Sequence, residues 1–140
     1  MQVRDIMSQL VITVTPEDNL RAALERTEWA GRHIPVVQDG KIVGIITDRD
    51  IRLAMNSPLV LRERVQDERL LNDVPVAACM TPNPITIDET ASIEEAIDVL
   101  LEHKFRGLPV VSTDGELVGI LTTTDLLRYL RKILSEDVPV

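Results

Sequence analysis

The most constraining feature of this sequence is an internal repeat that spans nearly the whole chain. Residues 33–51 read HIPVVQDGKIVGIITDRDI, and residues 107–126 read GLPVVSTDGELVGILTTTDL. Farther upstream, Met7 matches Met80 at a similar spacing. Each copy has about 50 residues, which is too few to bury a good hydrophobic core alone. We therefore expect the two copies to fold together as one module.

Both copies present the same order of predicted secondary-structure elements. A short β-rich segment, residues 11–14 or 85–87, precedes an amphipathic helix. Two β-branched strands then flank an Asp-Gly dipeptide, which is a strong hairpin signal. A final helix begins near Thr47 in the first copy and near Thr122 in the second. This β-α-β-β-α order predicts an α+β (α/β-like) fold in which helices cover a sheet.

We predict three segments along the chain: a first motif at 1–55, a linker at 56–75 and a second motif at 76–140. Within the linker, residues 62–69 (RERVQDER) mix both signs of charge. That pattern is typical of a solvated segment, here with some helix. Aromatic residues make up only 2% of the chain, so the core is expected to be aliphatic.

The composition argues against several classes of function. A formal net charge of −8 argues against a general nucleic-acid binder and against binding to anionic membranes. The single cysteine, Cys79, permits no disulfide within the chain, and neither histidine has a metal-ligand spacing with it. We therefore expect no metal site. No apolar run is long enough to span a membrane, and the N-terminus lacks the apolar region of a signal peptide, so we expect a cytoplasmic protein.

The start of each final helix has two interpretations. Thr47 with Asp50, and Thr122 with Asp125, have the spacing of a capping box, in which the threonine caps the helix and the carboxylate bonds back to it. The same spacing suits a ligand. A helix N-terminus offers free N–H groups to a phosphate, and a carboxylate one turn on can accept both hydroxyls of a ribose. The residues alone leave both interpretations open.

The repeat resembles a pair of cystathionine β-synthase (CBS) domains, a tandem often called a Bateman module. The resemblance rests on features seen twice, namely the Pro-Val-Val strand, the Asp-Gly hairpin and the terminal Thr-x-x-Asp. It extends from Val3 to Leu134. It implies two motifs related by a pseudo-twofold axis and packed sheet to sheet, with two clefts between them.

Members of this family commonly bind AMP, ADP, ATP or S-adenosylmethionine in those clefts and regulate an enzyme, channel or transporter. The resemblance therefore implies a regulatory sensor and not an enzyme. No further domain is visible in the sequence, so we expect a stand-alone module that acts on a separate effector protein. If the ligand is ATP, Mg²⁺ is expected to accompany it. The exposed helices are expected to form a homodimer, since twofold pairing is the commonest assembly.

The resemblance also carries over ligand contacts, with the Asp of each Thr-x-x-Asp at the ribose and the Thr near phosphate. The first cleft is expected to use Arg32, His33, Gly44, Thr47, Arg49 and Asp50, with Met80, Thr81 and Pro82 from the start of the opposite copy. The second is expected to use Arg106, Gly107, Gly119, Thr122, Thr124 and Asp125, with Met7 and Ser8. Ile12 and Ile85 are expected to line the pocket for the adenine ring.

Two details of this assignment follow from differences and recurrences between the copies. His33 and Arg49 add positive charge in the first copy only, so we expect the first cleft to suit a longer phosphate chain. Gly44 and Gly119 recur just before the helix starts. Each glycine either allows close backbone packing or leaves room for a nucleotide.

Two alternatives to the sensor hypothesis stay open. The first is a ligand-free oligomerisation or interaction module of the same fold. A degenerate Thr or Asp would favour it, whereas both copies keep both residues. The second is an enzyme that acts on nucleotides. Against this alternative, the sequence contains no recognisable acid/base pair, metal cluster or activated nucleophile.

Overall fold

The computed structural model describes residues 1–9, 11–30, 33–55 and 64–136, with the side chains of 28–30 and 64–67 excepted. Its contacts divide the chain into two units. We call Ile12–Pro84 the middle unit, and Met1–Val11 together with Ile85–Val140 the outer unit. The leading residues of the first copy therefore group with the second copy.

The middle unit contains a three-stranded antiparallel sheet of order β1-β2-β3 with three helices. Its elements are α1 (Leu20–Ala30), β1 (His33–Gln38), β2 (Lys41–Thr47), α2 (Asp48–Met55), α3 (Arg64–Asp73) and β3 (Thr81–Pro82). Asp39 and Gly40 join β1 to β2 with φ angles of 54° and 80°. Two positive φ angles define the type I′ turn that suits a two-residue hairpin, as the Asp-Gly dipeptide predicts.

The core of the middle unit is aliphatic, as expected from the composition. It is formed by Val14, Leu20, Ala23, Ile34, Val36, Ile46, Ile51, Leu71 and Val76. Leu71 lies on α3, inside the predicted linker, and is only 7% exposed. The described part of the linker is thus helical, as anticipated, but it also contributes an apolar side chain to the core.

The outer unit contains a second three-stranded sheet, of order β4-β5-β6, in which β4 pairs parallel with β5 and β5 antiparallel with β6. Its elements are β4 (Ile87–Asp88), α4 (Ile93–His103), β5 (Gly107–Val111), β6 (Leu117–Thr122) and α5 (Thr123–Glu136). The second hairpin has a three-residue loop with Gly115 at φ 84°. The extra residue relative to the first hairpin is accommodated by this left-handed glycine.

The N-terminal segment completes the outer unit. Val3 is fully buried in its core, and the Val3 N–H donates to the Ala91 carbonyl at 2.8 Å. Farther along, Ser8 and Ile120 exchange two backbone hydrogen bonds of 2.9 Å each. The middle unit repeats this arrangement, because Thr81 at the start of the second copy pairs with Ile45 on β2.

The predicted α+β fold is confirmed, since the described residues form two mixed units that each contain a hairpin followed by a helix. The β-rich segment before the first helix is shorter than predicted. Only Val14 bridges to Val36 in the first copy, and β4 has two residues in the second. The boundaries at 1–55, 56–75 and 76–140, and the packing of one sheet on the other, stay predictions.

None of the helices in the described ranges combines the length and apolar character needed to cross a bilayer.

Gly119→Ala should destabilise the protein. A Cβ at this position would lie 2.6 Å from Met7 Sδ and 2.8 Å from the Ser8 carbonyl oxygen, and the second contact is with backbone that cannot turn aside. We expect the free energy of unfolding to fall by about 1–3 kcal/mol, as for other overpacked sites. Urea unfolding followed by circular dichroism measures it.

Gly107→Ala is the matched control, because the nearest atom to its Cβ would be 3.4 Å away. A loss for Gly107→Ala as large as that for Gly119→Ala would contradict the explanation by close approach.

Candidate functional site

The start of α2 carries the first of the two predicted Thr-x-x-Asp motifs. The Thr47 N–H donates to Asp50 Oδ2 at 3.0 Å, and the Asp50 N–H donates to Thr47 Oγ1 at 3.0 Å. These reciprocal bonds form a capping box with Asp in the third helical position. Both side chains are half-buried. Asp48, which would oppose an anion here, pairs instead with Arg52 along the helix at 3.2 Å.

The start of α5 repeats the capping box with one additional bond and deeper burial. The Thr122 N–H donates to Asp125 Oδ2 at 2.9 Å, and the Asp125 N–H donates to Thr122 Oγ1 at 3.2 Å. The Thr122 hydroxyl also donates to Asp125 Oδ2 at 2.9 Å. Asp125 is only 9% exposed and is the one buried charged side chain among those the structure describes.

The buried Asp125 carboxylate stands out among the polar groups that the structure describes. All its side-chain hydrogen bonds from described residues go to Oδ2, so Oδ1 has no partner within that part of the chain. A buried acceptor without a hydrogen bond costs about 1–3 kcal/mol, and more when charged. An oxygen held in this way can accept a hydrogen bond from a hydroxyl group without breaking the cap.

Segments from the opposite copy lie against Gly44 and Gly119, the two matched glycines of the repeat. Met80 Sδ would be 2.6 Å from a Cβ at Gly44, and the Thr81 carbonyl would be 3.0 Å from it. Pro82 pairs with Gly44 in the ladder. Met7 and Ser8 occupy the corresponding place against Gly119 in the outer unit. These contacts support the interpretation that both glycines allow close backbone packing.

The other predicted residues differ in their position and in their exposure. At the strand starts, His33 lies opposite Thr47 and Gly107 lies opposite Thr122. The exposed positions are His33, Arg49, Arg106, Thr124 and Ile85, whereas Ile12 is half-buried. The Arg106 carbonyl also accepts a bond of 2.9 Å from the Thr123 N–H, which ties β5 to the start of α5. Arg32 lies outside the described residues.

An open groove of about 370 Å³ runs beside the start of α5 in the outer unit. Its lining combines Asp125 with residues of the N-terminal segment and of the next two turns of α5, namely Met1, Asp5, Ile6, Arg128, Tyr129 and Lys132. Apart from Asp125, none of these lining residues is among the predicted site residues. The signal that points to them is the i, i+3, i+7 spacing of Asp125, Arg128 and Lys132, which places three charges on one face of the helix.

Cys79 lies close to the first motif. Partial burial, and to a smaller extent the negative charge of Asp50, raise the pKa of the Cys79 thiol above its ordinary value. A thiol with a raised pKa is a poor nucleophile, because the thiolate is the reactive form. Cys79 is half-buried and not in a disulfide. Across the described ranges, no group of three or more His, Cys, Asp or Glu side chains is arranged to hold a metal ion.

The two helix starts and the duplicated hairpins are those of a known family. The CBS domain family matches residues 3–57 and 73–132. The chain belongs to the CBS domain family and contains a tandem pair of these domains. A CBS domain-containing protein of Dictyostelium discoideum is 37% identical over 139 residues, which cover 98% of this chain and 95% of that protein.

Two solved structures extend the comparison. CBSX2 of Arabidopsis thaliana, crystallised in complex with AMP, is 30% identical with a TM-score of 0.75, covering 94% of this chain and 97% of that one. The CBS domain pair of MJ0100, in complex with 5-methylthioadenosine and S-adenosyl-L-methionine, is 28% identical with a TM-score of 0.72, covering 93% of this chain and 99% of that one. Other curated relatives are longer, and the chain spans 21% and 48% of two of them.

Asp50→Asn should make Cys79 more reactive. Removing the carboxylate charge lowers the pKa of the thiol, so the thiolate fraction rises at any pH below that pKa. We expect iodoacetamide to label Cys79 faster at pH 8 in the variant than in the parent chain. Because Cys79 is the only cysteine, mass spectrometry of the intact protein measures the rate without ambiguity.

Asp48→Asn is the control, since Asp48 is at the same helix start but pairs with Arg52. Equal acceleration by both substitutions would mean that Asp50 has no particular influence on the thiol.

Proposed function

We propose that this chain is a regulatory module that binds an adenosyl ligand and acts on a separate partner protein. AMP, ADP, ATP and S-adenosylmethionine are the candidate ligands. The observation that carries the proposal is the buried Asp125 carboxylate beside an open groove: one oxygen caps the helix, and the other has no hydrogen-bond partner among the residues that the structure describes. Thr47 and Asp50 form the corresponding capping box at the start of α2, where both side chains are half-buried.

The groups present suit the parts of such a ligand. The free carboxylate oxygen accepts ribose hydroxyls, and the N–H groups of the first turn favour a phosphate. The adenine ring would be held by aliphatic side chains, with Ile12 and Ile85 as candidates. Arg32 and Arg106 supply forked donors for phosphate oxygens, and Mg²⁺ would enter with ATP as its counterion. The complexes of CBSX2 with AMP and of MJ0100 with S-adenosyl-L-methionine support this ligand class.

Regulation requires that the ligand distinguish two arrangements of the protein. A ligand can shift a conformational equilibrium only by its difference in affinity for the two states. In this proposal, the partner protein recognises the ligand-bound arrangement, and the chain itself catalyses no reaction. We further propose a cytoplasmic location, because a single unpaired cysteine suits a reducing compartment.

A thermal-shift screen tests the proposal. AMP, ADP, ATP and S-adenosylmethionine are each added at increasing concentration to the full chain. A ligand at 100 times its dissociation constant stabilises the folded state by about 2.7 kcal/mol, which is several degrees for a chain of this size. Asp50→Ala and Asp125→Ala should each reduce the shift, because each removes the acceptor at one helix start.

Asp98→Ala, on the exposed side of α4, is the matched control and should retain the full shift. The absence of any shift with the parent chain would instead favour a ligand-free interaction module, for which the capping boxes are purely structural. A shift that survives both Asp50→Ala and Asp125→Ala would show that binding occurs elsewhere.

We also propose that two copies of the chain pair through α4 and α5. These helices leave an apolar groove of about 440 Å³. Its lining is formed by Ile93, Ile97, Thr123, Leu126, Leu127, Tyr129, Leu130 and Ile133. Leu127 is 64% exposed and Leu130 is 49% exposed. A contiguous apolar surface of this kind marks an interaction site, and twofold pairing of identical surfaces is the commonest way to cover it.

Leu127→Glu with Leu130→Glu should convert the dimer to a monomer, because burial in the interface would leave two carboxylates unpaired. Light scattering coupled to size-exclusion chromatography measures the mass. Thr113→Glu, in the exposed hairpin loop, adds one carboxylate away from this face and should remain dimeric, and each single Leu→Glu variant is its charge-matched comparison. A parent chain that elutes as a monomer at every concentration would refute the pairing.

A further inference from the structure

The middle unit shows how a short helix covers the apolar face that two repeat helices present. Helix α3 packs against both α1 and α2. Its Leu71 belongs to the same buried cluster as Leu20 of α1 and Ile51 of α2. Leu24 and Met55 pack against this cluster from the same two helices. A single leucine of α3 therefore closes the groove between α1 and α2.

The groove between α4 and α5 has apolar residues at the matched positions, but there they are more exposed. In the register of the repeat, the residues that match Leu20, Leu24, Ile51 and Met55 are Ile93, Ile97, Leu126 and Leu130. Leu20 and Ile51 are fully buried. Their counterparts Ile93 and Leu126 are only half-buried, and Leu130 is 49% exposed. The lining of this groove comes from α4 and α5 alone.

The backbone directly after α3 also has a matched counterpart in the outer unit. In the middle unit, the Leu20 N–H donates to the Val74 carbonyl at 3.0 Å. In the outer unit, the Ile93 N–H donates to the Met1 carbonyl at 3.4 Å. Met1 therefore has the place of Val74. A helix that lay on α4 and α5 as α3 lies on α1 and α2 would have its C-terminal end beside Met1.

One polar contact of α3 indicates the charge that such a helix would need. The Arg21 Nε–H donates to Asn72 Oδ1 at 2.7 Å, next to Leu71 in the sequence. The residue that matches Arg21 is Glu94, which is exposed in the first turn of α4. A carboxylate only accepts hydrogen bonds, and Lys or Arg supplies both donors and the complementary charge. The groove therefore fits a helix that carries a leucine followed by a basic residue.

We propose that the groove between α4 and α5 binds one amphipathic helix of the partner protein, in the way that the middle unit holds α3. The helix carries a leucine in the place of Leu71 and a lysine or arginine in the place of Asn72. This inference rests on the proposed function, because it names the kind of partner on which the module acts. The partner helix and a second copy of the chain would cover the same side chains. The two therefore exclude each other, and the partner binds the separated chain.

An extended chain tests whether the groove accepts such a helix. A copy of residues 64–73 that carries Asn72→Arg is placed directly before Met1, which reproduces the register of α3 to Val74. Tethering gives the helix a high effective concentration. The matched control is the same extension with Leu71→Glu as well. At low protein concentration, the leucine form should melt several degrees higher than the glutamate form. Light scattering should show that the leucine form is a monomer.

A free peptide tests whether the helix can come from another molecule. A fluorescein-labelled peptide of residues 64–75 with Asn72→Arg is titrated with the full chain, and anisotropy measures binding. The titration extends to about 1 mM, because an isolated peptide of this length is only partly helical. Glu94→Gln should weaken binding about two- to fivefold, as expected for one exposed ion pair. Glu95→Gln is the matched control, because this neighbouring exposed acid matches Ala22 and not Arg21.

Four results would overturn the inference. Equal melting temperatures of the two extended chains would show that the leucine is not buried. A leucine form that remains dimeric would leave the groove to the second copy. Failure of the peptide to bind, with the extended chain stabilised, would restrict the groove to a helix of the same chain. Equal effects of Glu94→Gln and Glu95→Gln would remove the basic residue from the assignment.

These measurements contain no adenosyl ligand, so they are separate from the thermal-shift screen. A chain that binds an adenosyl compound but neither helix would keep the proposed function and lose this inference. A chain that binds both helices but no adenosyl compound would lose the proposed function and keep a groove for a helix.

Discussion

The structure depends on the close approach of one backbone to another across a residue without a side chain. Ser8 pairs with Ile120 directly over the neighbouring Gly119, and Met7 occupies the space that a Cβ would need. The same approach occurs between Met80 and Gly44. Each sheet gains an additional segment in this way, and that segment comes from the start of the other repeat. A repeat too small to bury its own core is thereby completed by its twin.

Directly after these strands, two short motifs cap the final helices and also supply the candidate binding groups. Thr122 and Asp125 satisfy the helix start through three hydrogen bonds, and the carboxylate still retains an oxygen without a partner in the described chain. A cap is fixed by its own bonds, so the position of that oxygen does not depend on a ligand. Preorganisation of this kind lowers the entropic cost of binding. In the proposed function, the cap and the binding group are therefore the same side chain.

The sequence predicts features that depend on neighbours along the chain and is weaker where distant segments meet. The Asp39-Gly40 hairpin and the helix starts follow from local turn and capping chemistry, and both appear as predicted. The burial of Leu71 is not visible in a segment dominated by charges, because it depends on where α3 packs. Helical spacing places Arg128 and Lys132 on the same face of α5 as Asp125, but the sequence does not show that this face borders a groove. Their relevance comes from the N-terminal residues that form the opposite wall of the groove.

The division of the chain into a continuous unit and a split unit has a consequence for biosynthesis. Ile12–Pro84 is uninterrupted, so all its contacts are available once that stretch has left the ribosome. The other unit joins Met1–Val11 to Ile85–Val140. Ser8 in its leading segment pairs with Ile120, so this pairing cannot form until β6 has been translated. Closing so long a loop is slow compared with local pairing. Until Ile120 has been translated, Ser8 lacks its backbone partner, and an unpaired segment of this kind can be captured by a chaperone or by another nascent chain.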